Sequence, residues 1–516
     1  MPLEATLPPE SNDPPTSATA VKAGDDSKRT GIIGLAVIVL GNAATLTGSI
    51  EKVNEQVQRI QEQLHLGTTP YLLYAVLAAI LFGYILTSQS LYAHFGHKLR
   101  ARFRGQSLAV GGLVLVSMGT LFALNLKAIP NAPNTILQAR KDIWIDKIRD
   151  TQMENGGFSI MLWRGPSNPV QVFTTAQGLA AIVSAMDWEK AEQKNTDAIR
   201  AAFSYIDSAR RNGDGGWGYF DTSQPLSEIA AWVTVARAKA LQHADLIWSA
   251  PADQERQLNW LQHDIEKLLM SAYVPSESAW SPFVLMSGGP GSVDHCSTLP
   301  PALLQLSVQP PTRTYSTLMA LWALLEAHQL ERMRLRIGHR YDDTIRNAIG
   351  WLLATYSTEL KGWVPNPHRP NQREDYLGLT GQVMDVLYIA SAQREFRNAV
   401  EQPRWIEARR DFLDKPIKQR LLGDNSHLSD MDGYIFPSPQ PLEPMTFLWA
   451  PWSLAACANL SNDAELSAAE RKIARDNMEA IAANYASYAF EKVESGGTYE
   501  LAENLVCVSQ TFSHVK

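Results

Sequence analysis

The sequence is poor in the residues on which several protein classes depend. Its 516 residues include three cysteines, Cys296, Cys457 and Cys507, which are too few and too odd in number for a disulfide framework. Acidic residues outnumber basic ones by 53 to 46, so a net charge of -7 gives no reason to expect a nucleic-acid partner. Charged residues make up 19% of the chain. Because about 25% is typical of globular domains, this share predicts that part of the chain lies in lipid.

Several catalytic and cofactor motifs are also missing. The chain has no Gly-x-Ser-x-Gly elbow, no His-Glu-x-x-His, no Cys-x-x-Cys and no Gly-x-x-x-x-Gly-Lys phosphate loop. Alternating apolar and polar runs of the kind that forms strands are sparse. The sequence therefore predicts an all-α protein that carries no cofactor.

The first quarter of the chain differs in composition from the rest. Residues 1–30 are rich in proline and polar residues and are predicted to form a disordered tail. The uncharged apolar runs 70–88 and 107–126 are long enough to span a bilayer. The run 31–50 is less apolar, so the prediction for 31–126 is two or three transmembrane helices. Between the runs 31–50 and 70–88, residues 51–67 have the apolar spacing of an amphipathic helix with a coiled-coil-like seam. This seam offers a surface for homo-oligomer formation.

The loop 89–106 sets the predicted topology. It contains Lys98, Arg100, Arg102 and Arg104 and no acidic residue, and short basic loops of membrane proteins stay in the cytoplasm. The sequence thus predicts a multi-pass protein of the bacterial inner membrane with membrane lipids as partners. The side on which the C-terminal body lies is left open. A linker is predicted at 127–143.

A repeated pattern fills residues 144–516. A helical stretch is followed by a turn that joins glycine to an aromatic residue, then by a Pro- or Ser/Thr-rich link, and then by a second helix rich in small and aromatic residues. Six such turns lie 59 to 82 residues apart, near Gly157, Gly216, Trp280, Gly362, Gly433 and Gly497. A single helical hairpin cannot bury its apolar face alone, so about six hairpins are predicted to stack into a closed ring.

These Gly-Gly-Trp and Gly-Gly-Phe turns between helices resemble the repeats of the terpenoid-cyclase and protein-prenyltransferase superfamily. The resemblance covers residues 140–516 and implies an α/α toroid. It also implies residues for two kinds of chemistry. The Asp-x-Asp-Asp acid motif of the cyclases has its nearest match at Asp430 and Asp432, where glycine replaces the last acid, and these two are the catalytic candidates.

The zinc site of the prenyltransferases is incomplete. Asp294 and Cys296 keep the Asp-x-Cys spacing of two ligands, but Leu377 stands where the family has its histidine. No metal site is therefore predicted, and Asp294 and Cys296 remain the nearest candidates.

Polar and aromatic residues of the second helices are predicted to face the hollow of the ring, where a concave site would form. The predicted ligand-binding residues are Thr174, Gln177, Trp217, Glu228, Arg313, Tyr315, Tyr376, Thr380, Gln382 and Thr446. Two functions are open at this point. The first is a membrane-anchored toroid that binds a hydrophobic ligand or a protein partner, such as a bacterial sensor or effector in stress or phage defence. The alternative is a cyclase- or prenyltransferase-like enzyme that acts on an isoprenoid or another lipid-soluble substrate.

Overall fold

The computed structural model describes most of the chain after residue 131. The described residues are 132–162, 169–210, 215–218, 225–282, 284, 312–368, 376–422, 429–431, 446–484 and 496–513. The chain divides into two compact units, Met1–Pro130 and Asn131–Lys516, and the described residues all belong to the second unit.

The predicted multi-pass membrane localisation is wrong on this evidence. Among the described residues, none of the helices combines the length and the apolar character needed to cross a bilayer. The predicted tail 1–30, the spans and amphipathic helix within 31–126 and the basic loop 89–106 all lie outside the described residues. The linker predicted at 127–143 is helical from Ala132 onward.

Helices dominate the described part of the chain. Twelve of them alternate between two roles, outer and inner. The outer helices are α1 (Ala132–Asp150), α3 (Gln193–Ser208), α6 (Pro251–His263), α10 (Asp342–Ala354), α13 (Pro403–Leu413) and α16 (Ala468–Asn484). The inner helices are α2 (Val172–Ala185), α4 (Ser227–Leu241), α8 (Thr314–Gln329), α11 (Leu377–Ala392), α15 (Trp449–Asn462) and α17 (Thr498–Ser513).

Shorter elements connect these twelve helices. They are the helices α5 (Ala244–Ile247), α7 (Met270–Ala272), α9 (Glu331–Ile337), α12 (Arg397–Val400) and α14 (Ile417–Leu422), a 3-10 turn at Trp188–Lys190 and a π-helical turn at Asp264–Leu269. The described residues also form two antiparallel strand pairs. They join β1 (Tyr273–Val274) to β2 (Ala279–Trp280) and β3 (Ser429–Met431) to β4 (Thr446–Leu448).

The six inner helices form a closed ring. Each packs on the next in chain order, and α17 packs on α2 to close it. Outer helices such as α3 and α16 are amphipathic and cover the ring from outside. Helix α4, in contrast, is buried on every side except at Lys239. Its alanines and valines allow a helix to pack between neighbours on all sides, which a wide polar face would prevent.

Three of the glycine-aromatic turns share one hydrogen-bonding arrangement. In each of them the turn tryptophan is buried and donates its indole N–H to the backbone carbonyl of the residue eleven positions earlier. The acceptors are Ile206 for Trp217 (2.9 Å), Leu269 for Trp280 (2.9 Å) and Leu352 for Trp363 (2.6 Å). The tryptophan thus ties the end of an outer helix or its π-helical extension to the link that leads to the inner helix, and this explains why the pattern repeats. The turn predicted at Gly433 lies outside the described residues.

Charged side chains also join the layers. Arg210 and Asp264 form a fully buried ion pair at 2.7 Å, and Arg237 of α4 reaches Asp207 of α3 at 2.6 Å. The guanidinium of Arg210 also lies over the rings of Trp217 and Trp260. Because each charge has a partner, this group holds an inner helix to two outer helical segments without leaving an ion uncompensated.

Gly381 marks the closest approach between α11 and α15. A Cβ atom at this position would lie 2.8 Å from the backbone carbon of Trp452 and 2.9 Å from its oxygen. We expect Gly381→Ala to lower the free energy of unfolding by about 1–3 kcal/mol, since backbone atoms cannot move aside as a flexible side chain can. Urea denaturation measures the change.

Gly350 of α10 provides the matched control. It is also a glycine within a helix, but an added Cβ there would have no atom within 4 Å. Gly350→Ala is expected to raise the free energy of unfolding by about 0.5–1 kcal/mol through helix propensity alone. Equal effects of the two substitutions would show that α11 and α15 are not in backbone contact.

Candidate functional site

The two ends of the ring differ. Links from an outer to an inner helix are long, as between Trp280 and Thr314, and they meet at the N-terminal ends of the inner helices. Links in the other direction are short, as between Ala185 and Gln193. Since functional residues concentrate where long loops meet a rigid scaffold, the N-terminal end is the candidate functional end.

Glu228 lies at this end, in the first turn of α4. Its side chain is fully buried, and one carboxylate oxygen accepts a hydrogen bond of 2.7 Å from the Ser316 hydroxyl on α8. The other oxygen, Oε2, has no partner among the described residues. Burial raises the pKa of Glu228 to about 7, and the Ser316 bond and the charge of Arg313 oppose it only in part. At neutral pH this carboxyl can therefore both give and take a proton.

Glu503 is a second buried carboxyl, in the second turn of α17. Its two oxygens accept hydrogen bonds from Gln177 of α2 (2.9 Å) and from the Trp452 indole of α15 (3.0 Å). Glu503 thus joins three inner helices at the seam where the last helix meets the first. Burial again raises the pKa to about 7, against the effect of both donors.

Three tryptophans cross the interior of the ring. Trp232 of α4 meets Trp322 of α8 edge to face at 5.3 Å, and Trp322 meets Trp452 in the same way at 6.2 Å. All three are buried, and their indole N–H groups donate to Tyr315, Glu326 and Glu503. They fill the interior and link helices that are not neighbours along the ring.

A further polar layer lies toward the C-terminal ends of the inner helices. Lys239 contacts Glu326 at 2.9 Å, and Asn459 donates to Asp385 at 2.9 Å. Burial raises the pKa of Asp385 to about 7. Each pair joins neighbouring inner helices, so we refer to these four residues as the C-terminal layer.

Within the first two turns of the inner helices, five buried side-chain oxygens have no hydrogen-bond partner among the described residues. Two belong to the hydroxyls of Ser453 and Thr498, and the other three are the carbonyl or carboxylate oxygens Gln177 Oε1, Glu228 Oε2 and Gln382 Oε1. They lie on α2, α4 and α11, and each residue is at most 2% exposed. Because an unpaired buried acceptor costs about 1–3 kcal/mol, three of them at one end of a ring indicate a place for donor groups from a ligand or from water. We refer to these three residues as the acceptor set.

The other residues predicted to bind a ligand occupy different positions in the fold. Trp217 is part of the repeated turn described above, and Tyr315 accepts a hydrogen bond from Trp232. Thr174 and Tyr376 are buried at the start of α2 and α11, and Arg313 is half-buried at the start of α8. Thr446 belongs to β4, and its side chain lies outside what the structure describes.

The Thr380 hydroxyl holds the turn that precedes its own helix. Its hydroxyl accepts a hydrogen bond of 3.1 Å from the backbone N–H of Trp363, and Thr175 and Thr317 do the same for Phe158 and Trp280. In each case the fourth residue of an inner helix holds the turn that precedes it. The repeat of this contact in three hairpins explains the threonine without a ligand.

Thr380→Val tests this assignment. Valine keeps the shape but leaves the buried Trp363 N–H without a partner, so the free energy of unfolding should fall by about 1–3 kcal/mol. Thermal denaturation measures it, and Thr380→Ser, which restores the hydroxyl, should recover most of the loss. A ligand role would instead appear as weakened binding with stability unchanged.

The chemistry implied by the family resemblance is not brought together by the described residues. Asp430 lies in β3 with its side chain outside the described part, and Asp432, Asp294 and Cys296 lie wholly outside it. In the described ranges no group of three or more histidine, cysteine or acidic residues could hold a metal ion. Burial raises the pKa of the Cys457 thiol to about 12, so it remains protonated.

Sequence reasoning missed Glu503, Trp452 and the C-terminal layer as members of the ring interior. One signal was present. Glu503, Lys239 and Glu326 are charged residues inside helices in which apolar and small residues predominate. A charge in such a helix has no outer polar face to lie on, so it must point along a seam or into the ring.

Neither a protein-family model nor a curated protein matches the sequence. Solved structures do match. A D-mannose isomerase superposes with a TM-score of 0.53 at 11% identity over 74% of this chain and 99% of its own. The α-1,6-mannanase of Salegentibacter sp. HEL1_6 gives 0.48 at 9% identity over 72% and 98%. The type II terpene cyclase MstE from Scytonema gives 0.41 at 14% identity over 73% and 99%.

At these identities the first likeness shows the fold alone, and the two TM-scores below 0.5 support no conclusion. Together with the closed ring of six helical hairpins, the match identifies residues 132–513 as an α/α toroid. The predicted toroid is thus confirmed as a fold, and its function has to be argued from its own residues.

Proposed function

We propose that the toroid is an enzyme in which Glu228 exchanges a proton with a small molecule bound at the N-terminal end of the inner helices. The observation that carries this proposal is the Glu228 carboxyl itself. It is fully buried, fixed on one oxygen by Ser316, free on the other, and has its pKa near the pH of the cell. Perturbed carboxyls of this kind are typical of general acids and bases.

The acceptor set suggests the class of ligand. Three unpaired oxygens call for a molecule with several hydroxyl or amine donors, and a sugar or another polyol supplies them. An isoprenoid hydrocarbon has no donor for these atoms. The isoprenoid alternative therefore stays a prediction that depends on Asp430 and Asp432.

A panel of named compounds tests the proposal. The full chain is incubated with D-mannose, D-glucose, D-glucuronate and their 4-nitrophenyl glycosides, and ¹H NMR follows each compound. D-mannose is included because a protein with the same fold is named for its isomerisation. The appearance of a product from at least one compound supports the proposal. If every compound remains unchanged and none shifts the melting temperature, the proposal fails.

The second candidate is the predicted binding role without turnover. The same acceptors would hold a hydroxylated ligand in a module that performs no reaction, as a sensor or effector would. Saturable stabilisation by one compound with no product would favour this role. A protein partner bound in the ring remains a separate proposal. So does the homo-oligomer predicted through 51–67, whose residues lie outside the described part.

A further inference from the structure

Arg313 forms no ion pair with a described residue, unlike several other arginines of the toroid. Its backbone N–H donates to the Trp280 carbonyl at 3.1 Å, which fixes the residue at the start of α8. Its guanidinium makes one hydrogen bond, of 3.3 Å, to the neighbouring Thr312 carbonyl. Within the described part of the chain, no carboxylate lies within 4.0 Å of it. By comparison, Arg210, Arg237 and Arg409 each form an ion pair with aspartate.

Arg313 nevertheless acts on Glu228. Its charge favours ionisation of the Glu228 carboxyl, yet the two groups are too far apart to form an ion pair. A half-buried cation thus lies near a fully buried acid that has one oxygen without a partner among the described residues, and no ion pair joins the two. The N-terminus of α8, a helix of 16 residues, adds its partial positive charge at the same place.

We propose that Arg313 binds an anionic group of the ligand, a carboxylate in the first instance, beside the Glu228 carboxyl. The carboxylate would accept charge-assisted hydrogen bonds from the guanidinium, and the free Glu228 oxygen would stay available for proton exchange with another group of the ligand. Ser316 supports the other Glu228 oxygen and stays in place. This inference rests on the proposed function and specifies its substrate class as an acidic sugar.

Binding of an anionic ligand should change the protonation of Glu228. An anion placed beside Glu228 favours the protonated acid, because two like charges would otherwise lie together. Among the described residues, the groups that act on Glu228 are Ser316 and Arg313, and the ligand charge offsets the effect of Arg313. Binding near pH 7.5 should therefore take up a fraction of a proton from the buffer, and replacing Glu228 by glutamine should remove that uptake.

The test uses D-glucuronate and D-glucose, a pair that differs in one carboxylate. Isothermal titration calorimetry of the full chain is run at pH 7.5 in phosphate-free buffers of different ionisation enthalpy. D-glucuronate is expected to bind at least tenfold more tightly than D-glucose, with proton uptake. Arg313→Gln should remove the tenfold preference, and Arg313→Lys should restore part of it. Arg334→Gln, an exposed arginine on α9, makes the same change of net charge and should leave the preference intact.

Each result of the titrations supports or overturns the proposed role of Arg313. Equal affinity for the two sugars overturns the role of Arg313 but leaves the proposed function standing, since a neutral sugar would then occupy the acceptor set. A preference that survives Arg313→Gln places the carboxylate elsewhere and also overturns the inference. Absence of binding by both sugars overturns the inference and the proposed ligand class together.

Discussion

Glu228→Gln is expected to lower the turnover of a substrate found in the sugar panel by about 10²–10⁴-fold, the usual contribution of one acid–base group. Glutamine keeps the size of the side chain, and its carbonyl oxygen can still accept the Ser316 hydroxyl. The substitution removes only the exchangeable proton. The melting temperature at pH 6 should consequently change little, and the rate of product formation by NMR provides the measurement.

Glu503→Gln is the matched control for this prediction. Both acids are buried on inner helices and both have a pKa raised to about 7. Glu503 differs because its two oxygens already accept hydrogen bonds from Gln177 and Trp452. It has no free oxygen to offer, so its variant should keep kcat within severalfold, although rotation of the Gln177 amide in the variant can raise KM. A Glu228 variant with full activity, or a Glu503 variant that loses as much, would contradict the assignment.

The same acid predicts the pH dependence of catalysis. If Glu228 donates a proton to the substrate, its neutral form is the active one, and this form predominates below pH 7. The value of kcat/KM should then be highest in weak acid and fall as pH rises through about 7. A profile that instead rises through pH 7 would assign Glu228 as the base.

The fold could largely be predicted from the sequence because its hairpins repeat one turn motif. The glycine-aromatic turn is visible in the sequence, and in the structure the tryptophans of these turns, at Trp217, Trp280 and Trp363, hold the links between outer and inner helices. The membrane assignment relied on apolar runs, on the basic loop 89–106 and on the low share of charged residues. The described helices do not support it, and those that are apolar, such as α2 and α8, are buried between other helices of the ring.

The site was predictable only in part. Glu228, Gln177 and Arg313 could be named because they stand near the start of predicted second helices. The role of Thr380 could not be separated from ligand binding, because its partner Trp363 lies across a turn. Glu503 depends on Gln177, a partner 326 residues away in the chain, so its contact appears only when the ring closes.

The three carboxyls also predict how the stability of the toroid depends on pH. Burial raises the pKa of Glu228, Asp385 and Glu503 to about 7 in the folded chain, whereas unfolded carboxyls titrate near pH 4. Between these values the folded state binds more protons than the unfolded state. The stability that these groups contribute is therefore fully present below about pH 4 and is lost as pH rises through 7.

The expected change of stability with pH is large. A shift of about three pKa units corresponds to about 3–4 kcal/mol for each group once it is ionised. Part of this is already lost below pH 5.5, so each group loses about 2 kcal/mol, and the three together about 6 kcal/mol, between pH 5.5 and pH 8.5. We expect the melting temperature to fall by about 10 °C across this range, at roughly 1–2 °C for each kcal/mol in a domain of this size. Calorimetric scans of the full chain across this range measure the slope.

Glu503→Gln should make this slope shallower by about one third. Glutamine can accept the Trp452 N–H with its oxygen and donate to Gln177, whose amide can rotate to present its own oxygen. The interior would then keep its hydrogen bonds but lose one titrating proton. Glu470→Gln is the control, since Glu470 is only partly buried and its pKa is lowered by its hydrogen bonds with Ser467, so it is ionised throughout the range. A flat profile in the unmodified chain, or equal slopes for the two variants, would mean that Glu503 is solvated and that the seam between α17 and α2 is open to water.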